Sequence, residues 1–268
     1  MSRKTSIIIL IILIGFSLII SGCSERSNRK ELSKLEQIKE KGKIVLGTAA
    51  DYPPYEFHKQ IDGEDQIVGF DIKIAREIAK SLGVKLEIKD MKFNGLLAAL
   101  KANKIDFIIA GMVPTKERRK SVDFSKKYYQ AEQRLLTKKE TNYKTIDDLA
   151  GLRVGAQKAS VQEEIAKKKI DSSEVKSLGK ITDLVLELKN NKIDGIVLVE
   201  PVAKPYAEAN KDLKVAEVSL GIEDGVAIAV QQDTPQLLHE INNTLDKLKE
   251  KNKIDEFIKE ATKLSSKK

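Results

Sequence analysis

Few residues of this chain have the types and spacing needed for catalysis or for metal binding. The 268-residue sequence has one cysteine, Cys23, and two histidines, His58 and His239. A single thiol forms no internal disulfide, and these three side chains supply too few ligands for a zinc site. The sequence contains neither a G-x-S-x-G nucleophile motif nor a Walker phosphate-binding loop. We therefore expect no catalytic residue, no metal and no cofactor.

Cys23 directly follows an apolar stretch of the type found in secretory signals. Two basic residues precede the apolar run from Ile7 to Ile20, which is shorter than the roughly 20 residues of a membrane-spanning helix. The run leads into Ser21-Gly22-Cys23, which resembles the bacterial lipobox, whose cysteine becomes linked to diacylglycerol. We therefore expect residues 1–22 to be a signal peptide and Cys23 to anchor the protein to the cell membrane, facing the extracytoplasmic side.

The charge of the chain gives no sign of a nucleic-acid partner. The net charge is +8, and 33% of the residues are charged. The lysines are interleaved with acids and lack the neighbouring aromatic residues that stack on bases, so we expect a solvated surface. Residues 24–34 are polar and show no periodicity, which is typical of a tether, and we expect the folded part to begin near Leu35. The domain boundaries assign residues 23–40 to the lipid anchor and tether.

Strand and helix patterns alternate after this segment, which is typical of an α/β fold. The sequence predicts a strand over Lys43–Thr48, a helix over Asp71–Leu82 capped by Asp71, and a buried strand over Ile105–Ala110. Near the end of the chain, the pattern predicts helices over Pro235–Lys249 and Lys253–Leu264.

An internal near-repeat indicates two lobes of similar construction. The segment Leu100–Ile109 matches Leu188–Val197, and each copy has the pattern of a helix, a tight turn and a buried strand. We therefore expect one lobe to contain residues 41–130 and 221–268 and the other to contain residues 131–220. The linking segments are expected near Tyr129–Arg134 and Val218–Glu223.

Four segments follow predicted strands and should meet at the carboxyl ends of the two sheets. Open α/β sheets bind ligands at these ends, where loops and helix N-termini present free N–H groups. Two lobes that face each other in this way would enclose a small solute. The segments are Ala49–Phe57, Ala110–Arg118, Gly155–Gln162 and Leu198–Pro201.

Several short strings in and around these segments resemble a known family, the polar amino-acid solute-binding proteins of ABC importers. This family is also called the bacterial extracellular solute-binding proteins, family 3. The similarity covers nearly the whole chain. Its most specific part is the string from Ala110 to Arg118, AGMVPTKER, followed by VDFS and Tyr128. Further matching strings are VLGT, YPPYEF, VGFDI and KID, in the family's order.

The resemblance implies a type II periplasmic-binding-protein fold, with two α/β lobes joined by two crossover strands. It implies that Arg118 holds the ligand carboxylate, for which the planar guanidinium is well suited. It also implies that Tyr52 and Phe93 sandwich the ligand, although both could be ordinary core residues. Gly111 resembles the position at which the backbone approaches the ligand.

Departures from the family pattern leave the ligand's amino end unexplained. Family members often have an acid where this chain has Ala49, and a hydroxyl where it has Val113. The usual acidic ammonium acceptor is replaced by Val199, with Glu200 one residue later. Because strand side chains alternate, Glu200 should face away unless the strand end is irregular. Either Glu200 turns into the cleft, or Glu56 is the acceptor, or the ligand is not a plain α-amino acid.

The candidate site therefore collects residues from both lobes. It comprises Tyr52, Glu56, Phe93, Ala110, Gly111, Val113, Arg118, Ser160 and Glu200. The resemblance implies a monomer that binds an amino acid or a related carboxylate and delivers it to an ABC importer permease. An alternative is an exported enzyme resembling cyclohexadienyl dehydratases, with Glu200 or Glu56 as its proton donor.

Overall fold

The computed structural model describes residues 32–171 and 174–266, and residues 33–266 of this part form two α/β lobes. The first stretch of the chain contains α1 (Lys34–Lys41), β1 (Lys43–Thr48), β2 (Asp51–Tyr52), β3 (Glu56–Ile61), β4 (Glu64–Val68), α2 (Phe70–Leu82), β5 (Lys85–Asp90), α3 (Leu96–Lys101), β6 (Phe107–Ile108) and β7 (Val122–Phe124). The second contains β8 (Gln133–Lys138), β9 (Arg153–Gln157), α4 (Val161–Lys168), β10 (Glu174–Leu178), α5 (Ile181–Lys189), β11 (Gly195–Val199), α6 (Glu200–Ala209) and β12 (Leu213–Val215). The return contains β13 (Ala229–Gln231), α7 (Pro235–Glu250) and α8 (Lys253–Ser265).

The two five-stranded sheets have the same topology. Lobe 1 is built on the order β5-β1-β6-β13-β7, and lobe 2 on β10-β9-β11-β8-β12. In each sheet the second strand is parallel to both neighbours, and the fourth is antiparallel to both of its own. The chain crosses between the lobes twice, and the crossing segments pair at Tyr129–Val226 and Glu132–Ile222. This arrangement confirms the two-lobed α/β fold expected from the sequence.

The folded part begins with α1, close to Leu35 as expected, and thus within residues 23–40, which were assigned to the anchor and tether. Ser33 and Glu36 form a capping box that starts the helix, and Ile38 is fully buried in the core. The assignment of residues 23–40 to a tether is therefore wrong at its end. The helix has only two apolar residues, Leu35 and Ile38, and its eight residues show too little periodicity for it to be recognised. Cys23 and the signal segment lie outside the described residues.

The start of α2 also corrects the sequence-based expectation. The helix begins at Phe70, and its N-cap is Gly69, whose φ is 133°. A Cβ on Gly69 would overlap the carbonyl oxygen of Tyr55, so this backbone path requires glycine. Asp71 lies within the first turn, and its Oδ2 accepts the N–H of Gly111 at 3.0 Å and the hydroxyl of Tyr128 at 2.8 Å. It is therefore not the helix cap.

Helices α7 and α8 close lobe 1. Each begins at the residue predicted from the sequence and ends one residue later than predicted. Both present apolar residues to the core of the lobe, among them Ile241, Leu245 and Ile254. Within residues 32–171 and 174–266, the helices are too short or too polar to span a membrane.

Candidate functional site

The cleft between the lobes contains most of the predicted site residues. A small cavity of about 10 Å³ is lined from lobe 1 by Tyr52, Phe93, Ala110, Gly111, Val113 and Arg118, and from lobe 2 by Gln157, Ser160, Val161 and Gln162. The structure thus brings together seven of the nine predicted residues, all except Glu56 and Glu200. Gln157, Val161 and Gln162 were not named individually, although the segment that carries them was predicted to meet the cleft.

Arg118 is a buried cation that bridges the lobes. Its Nη1 donates to the carbonyl oxygen of Val113 at 2.6 Å, and its Nη2 donates across the cleft to the carbonyl oxygen of Ala159 at 2.8 Å. The guanidinium carbon also lies 5.3 Å from the ring centroid of Phe93. Burial lowers the pKa of Arg118 to about 10. No acid among the described residues forms an ion pair with it, so this charge lacks a protein counter-ion.

A short turn fixes Arg118 in this position. The backbone N–H of Arg118 donates to the hydroxyl of Thr115 at 3.3 Å, and that of Arg119 donates to the Thr115 carbonyl at 3.0 Å. Pro114 cannot extend a strand, because it lacks a backbone N–H. The Pro-Thr-x-x-Arg spacing therefore ends the strand segment and returns the arginine to the cleft.

Gly111 forms part of the cavity wall because its backbone has a left-handed conformation. Its φ is 54°, and a Cβ there would lie 3.0 Å from Cε1 of Tyr52. Its N–H is held by Asp71, whose pKa burial raises to about 6. Asp71 thereby fixes the strand end that carries Ala110 and Gly111, and any other residue than glycine would crowd the Tyr52 ring.

Lobe 2 contributes the N-terminus of α4. Ser160 is the N-cap residue, and its Oγ accepts the N–H of Glu163 at 3.2 Å and donates to the carbonyl of Gln157 at 2.6 Å. The first N–H groups of a helix lack partners within the helix and favour anions. The cleft therefore combines the guanidinium of Arg118 with the positive end of a helix, an arrangement suited to a carboxylate.

Glu56 is buried away from the cavity wall. It is fully inaccessible to solvent and lies beside Asp71. Burial, and then the Asp71 charge, raise the pKa of Glu56 well above its ordinary value. Glu56 thus lies beside Asp71 and outside the cavity wall, so it is not placed to accept a ligand cation.

Glu200 is turned away from the cleft, as strand alternation predicts. It is the first residue of α6, and its carboxylate pairs with Lys204 at 2.8 Å, one helical turn later. Lys204 holds the pKa of Glu200 below its ordinary value. Val199 ends β11 fully buried. The hypothesis that Glu200 turns into the cleft is therefore wrong for this structure.

A second set of contacts joins the lobes beside the cavity. Asp51 on β2 accepts the N–H of Ile181 at 2.6 Å, and thus caps α5 of the opposite lobe. The hydroxyl of Tyr206 on α6 donates to the carbonyl oxygen of Asp51 at 2.7 Å. Because the preceding residue, Lys180, provides no side-chain cap, α5 depends on lobe 1 for its capping.

Comparison with known proteins places this cleft in a family. The model of the bacterial extracellular solute-binding proteins, family 3, matches residues 44–262. The arginine-binding extracellular protein ArtP of Bacillus subtilis is 36% identical over 82% of this chain and 86% of its own length. A probable histidine-binding protein of Campylobacter jejuni is 35% identical, over 81% of this chain and 83% of its own.

A solved structure is also similar to this chain. The substrate-binding protein AbpA of a Streptococcus pneumoniae amino-acid ABC transporter, crystallised with L-arginine, superposes with a TM-score of 0.83 and 40% identity, covering 87% of this chain and 100% of its own. Residues 44–262, which the family model matches, contain both sheets apart from Lys43 at the start of β1, the crossing segments and every residue that lines the cavity. The chain therefore belongs to the bacterial extracellular solute-binding proteins of family 3.

Proposed function

We propose that this protein captures an α-amino acid between its lobes, with arginine as the first candidate, and delivers it to the permease of an ABC importer. The observation that carries the proposal is Arg118, a buried guanidinium that faces the cleft without a protein counter-ion. A ligand carboxylate would supply the missing charge through paired hydrogen bonds. Arginine comes first because ArtP is named for binding it and AbpA was crystallised with it.

Binding requires the lobes to separate and close again. A cavity of about 10 Å³ is close to the minimum that holds one water molecule, and far below the volume of an amino acid. Three hydrogen bonds of the described residues cross the cleft: Arg118 donates to the carbonyl of Ala159, and Asp51 accepts one bond from Ile181 and one from Tyr206. Such bonds contribute about 0.5–1.5 kcal/mol each, so opening is energetically accessible.

The test compares ligands that differ only in the carboxylate. Calorimetric titration of the protein with L-arginine should show binding, whereas L-argininamide, which lacks the carboxylate charge, should not bind. A thermal-shift panel of the twenty amino acids, N-substituted amino acids and opine-like conjugates then ranks the ligands. If no carboxylate ligand binds, or if argininamide binds as well as arginine, the proposal fails.

The same proposal includes a lipid-anchored monomer without enzymatic activity. The apolar run and the Ser21-Gly22-Cys23 sequence support the anchor. Replacement of Cys23 by Ser should move the protein from the membrane fraction to the soluble fraction, and unchanged partitioning would contradict the anchor. Neither Glu56 nor Glu200, the proton donors of the dehydratase alternative, lines the cavity.

A further inference from the structure

Glu223 is buried in a position where a strand would ordinarily bury an apolar side chain. It lies in the second crossing segment, and its N–H donates to the carbonyl of Ala131 at 3.0 Å. Only 6% of Glu223 is exposed, whereas 72% of the preceding residue, Ile222, is exposed. Adjacent residues of an extended segment face opposite sides. The segment therefore turns an isoleucine towards solvent and a carboxylate inwards, at a cost in stability.

The carboxylate of Glu223 lies in a space that adjoins the cleft. It lines a cavity of about 240 Å³, two walls of which, Val113 and Val161, also line the small cavity beside Arg118. The side-chain amides of Gln162 and Gln133 also connect the cleft wall with Glu223. Gln162, in the cleft wall, donates to Oε1 of Gln133 at 3.2 Å, and Gln133 donates to Oε2 of Glu223 at 3.5 Å.

Half of this carboxylate has no partner. Oε1 of Glu223 is inaccessible to solvent and makes no hydrogen bond, and no cationic side chain among the described residues pairs with the group. Lys169, in the same cavity, donates to the carbonyl of Leu220 at 3.2 Å, and Asp224 pairs with Lys127. Burial raises the pKa of Glu223 to about 8.

The charge of Glu223 acts on three tyrosines. After burial itself, the Glu223 charge is the largest cause that raises the pKa of Tyr52 and of Tyr55, and it acts on Tyr129 in the same way. Tyr52 lines the cleft cavity, and its ring centroid lies 5.1 Å from that of Tyr55. The carboxylate of Glu223 and the ring of Tyr52 in the cleft wall are both groups that attract ammonium and guanidinium groups.

We propose that Glu223 is the acidic group that accepts the cationic group, ammonium or guanidinium, of the amino acid held at Arg118. This inference rests on the proposed function and supplies the acceptor that Val199, Glu200 and Glu56 do not provide. Closure over a ligand would pair both buried groups at once, the guanidinium of Arg118 with the ligand carboxylate, and Glu223, whose ionised form the ligand cation stabilises, with that cation. The unfavourable burial of Glu223 is then offset only when a cationic solute is bound.

The test is a titration of wild type, Glu223→Gln and Glu217→Gln with L-arginine. Glu217 is an exposed glutamate six residues earlier in the chain, so the control removes the same charge from the surface. Glu223→Gln should weaken binding at least tenfold, and Glu217→Gln should leave it within twofold. If L-arginine is not the ligand, the tightest standard amino acid from the panel replaces it.

Two analogues identify which cation Glu223 accepts. 5-Guanidinopentanoate lacks the α-ammonium, and L-citrulline lacks the guanidinium charge. If Glu223 holds the ammonium, Glu223→Gln should weaken citrulline binding but leave guanidinopentanoate unaffected; if it holds the guanidinium, the effects are reversed. Both outcomes support the inference.

The outcomes against the inference are separable from those against the proposed function. Wild-type affinity in Glu223→Gln would overturn the role of Glu223 and leave the proposed function intact. Failure of the wild type to bind any amino acid would overturn both. The melting temperature of ligand-free Glu223→Gln should equal or exceed that of the wild type, because a buried unpaired carboxylate is removed; a lower melting temperature together with weaker binding would indicate a structural role and contradict the inference.

Discussion

The two lobes share a framework but differ in what they present to the cleft. In lobe 1, Asp106 accepts the N–H of Val45 at 2.8 Å, and in lobe 2 Asp194 accepts the N–H of Arg153 at the same distance. Each aspartate follows an asparagine in the left-handed conformation, Asn103 with φ 55° and Asn191 with φ 58°. The near-repeat therefore encodes one structural unit, a turn whose aspartate holds the start of the neighbouring parallel strand.

The difference begins where the strands end. After its central strands, lobe 1 provides a charge, Arg118, and aromatic walls, Tyr52 and Phe93. Lobe 2 provides the N-terminus of α4 with Ser160 and the amides of Gln157 and Gln162. Repeated residues thus maintain the sheets, and the residues that are not repeated determine the chemistry of the cleft.

Replacing one arginine in each lobe, Arg118 and Arg153, tests this division most strongly. Arg118→Ala should weaken ligand binding by about 2 kcal/mol or more, because the ligand carboxylate would be closed into the cleft without its partner. Arg153→Ala, the matched change in lobe 2, removes a guanidinium already paired with Asp194 at 2.7 Å and should leave affinity unchanged. Calorimetry on both variants measures the contrast. Near-native affinity in Arg118→Ala would remove Arg118 from the site.

The shared framework is tested by replacing Gly47 in lobe 1 and Gly155 in lobe 2, since each glycine packs against an isoleucine of the repeated turn. A Cβ on Gly47 or Gly155 would overlap Cδ1 of Ile105 or Ile193, respectively. Gly47→Ala and Gly155→Ala should each lower the free energy of unfolding by about 1–3 kcal/mol, since both sites are tightly packed. Urea denaturation gives the values, and Gly95→Ala, where the added Cβ meets open space, is the control.

A rescue experiment identifies the cause of that loss. Ile105→Val removes the Cδ1 that overlaps the new methyl group, so it should recover part of the stability lost in Gly47→Ala. Ile193→Val should do the same for Gly155→Ala. If the second substitution adds to the loss in either lobe, steric overlap is not the reason for glycine there.

The cap that lobe 1 provides for lobe 2 should affect closure more than folding. Asp51→Ala removes the bond to the N–H of Ile181, and loss of a helix cap costs about 0.5–2 kcal/mol. Because this bond exists only when the lobes meet, we expect the loss in ligand affinity. Ser33→Ala removes a cap within lobe 1 and should lower only the free energy of unfolding. Equal effects of the two changes on melting temperature, with affinity unaltered, would contradict this distinction.

The smallest expected effect concerns the ion pair that accompanies the repeat in lobe 2. Arg153 holds the pKa of Asp194 below its ordinary value of 3.8. A lowered carboxyl pKa contributes stability above the pKa of the unfolded chain, and this stability is lost as the pH falls through the folded value. Asp194→Asn should therefore cost less than about 1 kcal/mol at pH 7, because the pair is half-exposed. Urea denaturation at pH 3 should show a smaller difference, and a constant difference would contradict the electrostatic origin.

The sequence by itself determined the features that depend on local pattern. Hydrophobic periodicity located α7 and α8, and the repeat located the matching units of the two lobes. The string from Ala110 to Arg118 located the cleft segment with its arginine, because proline, glycine and arginine each have a restricted conformational or chemical use. Each of these signals is carried by short continuous segments, so no contact between distant residues is needed to recognise it.

Only the tertiary structure decided where the acids face. Asp71 has the sequence position of a cap, yet its carboxylate reaches Gly111 on another strand. Glu200 pairs with Lys204 along its own helix, and Glu56 is buried beside Asp71. Glu223 turns inwards through its pairing with the first crossing segment. A shift of one residue in an extended segment reverses the direction of a side chain, and that register is set by pairing between residues distant in the chain.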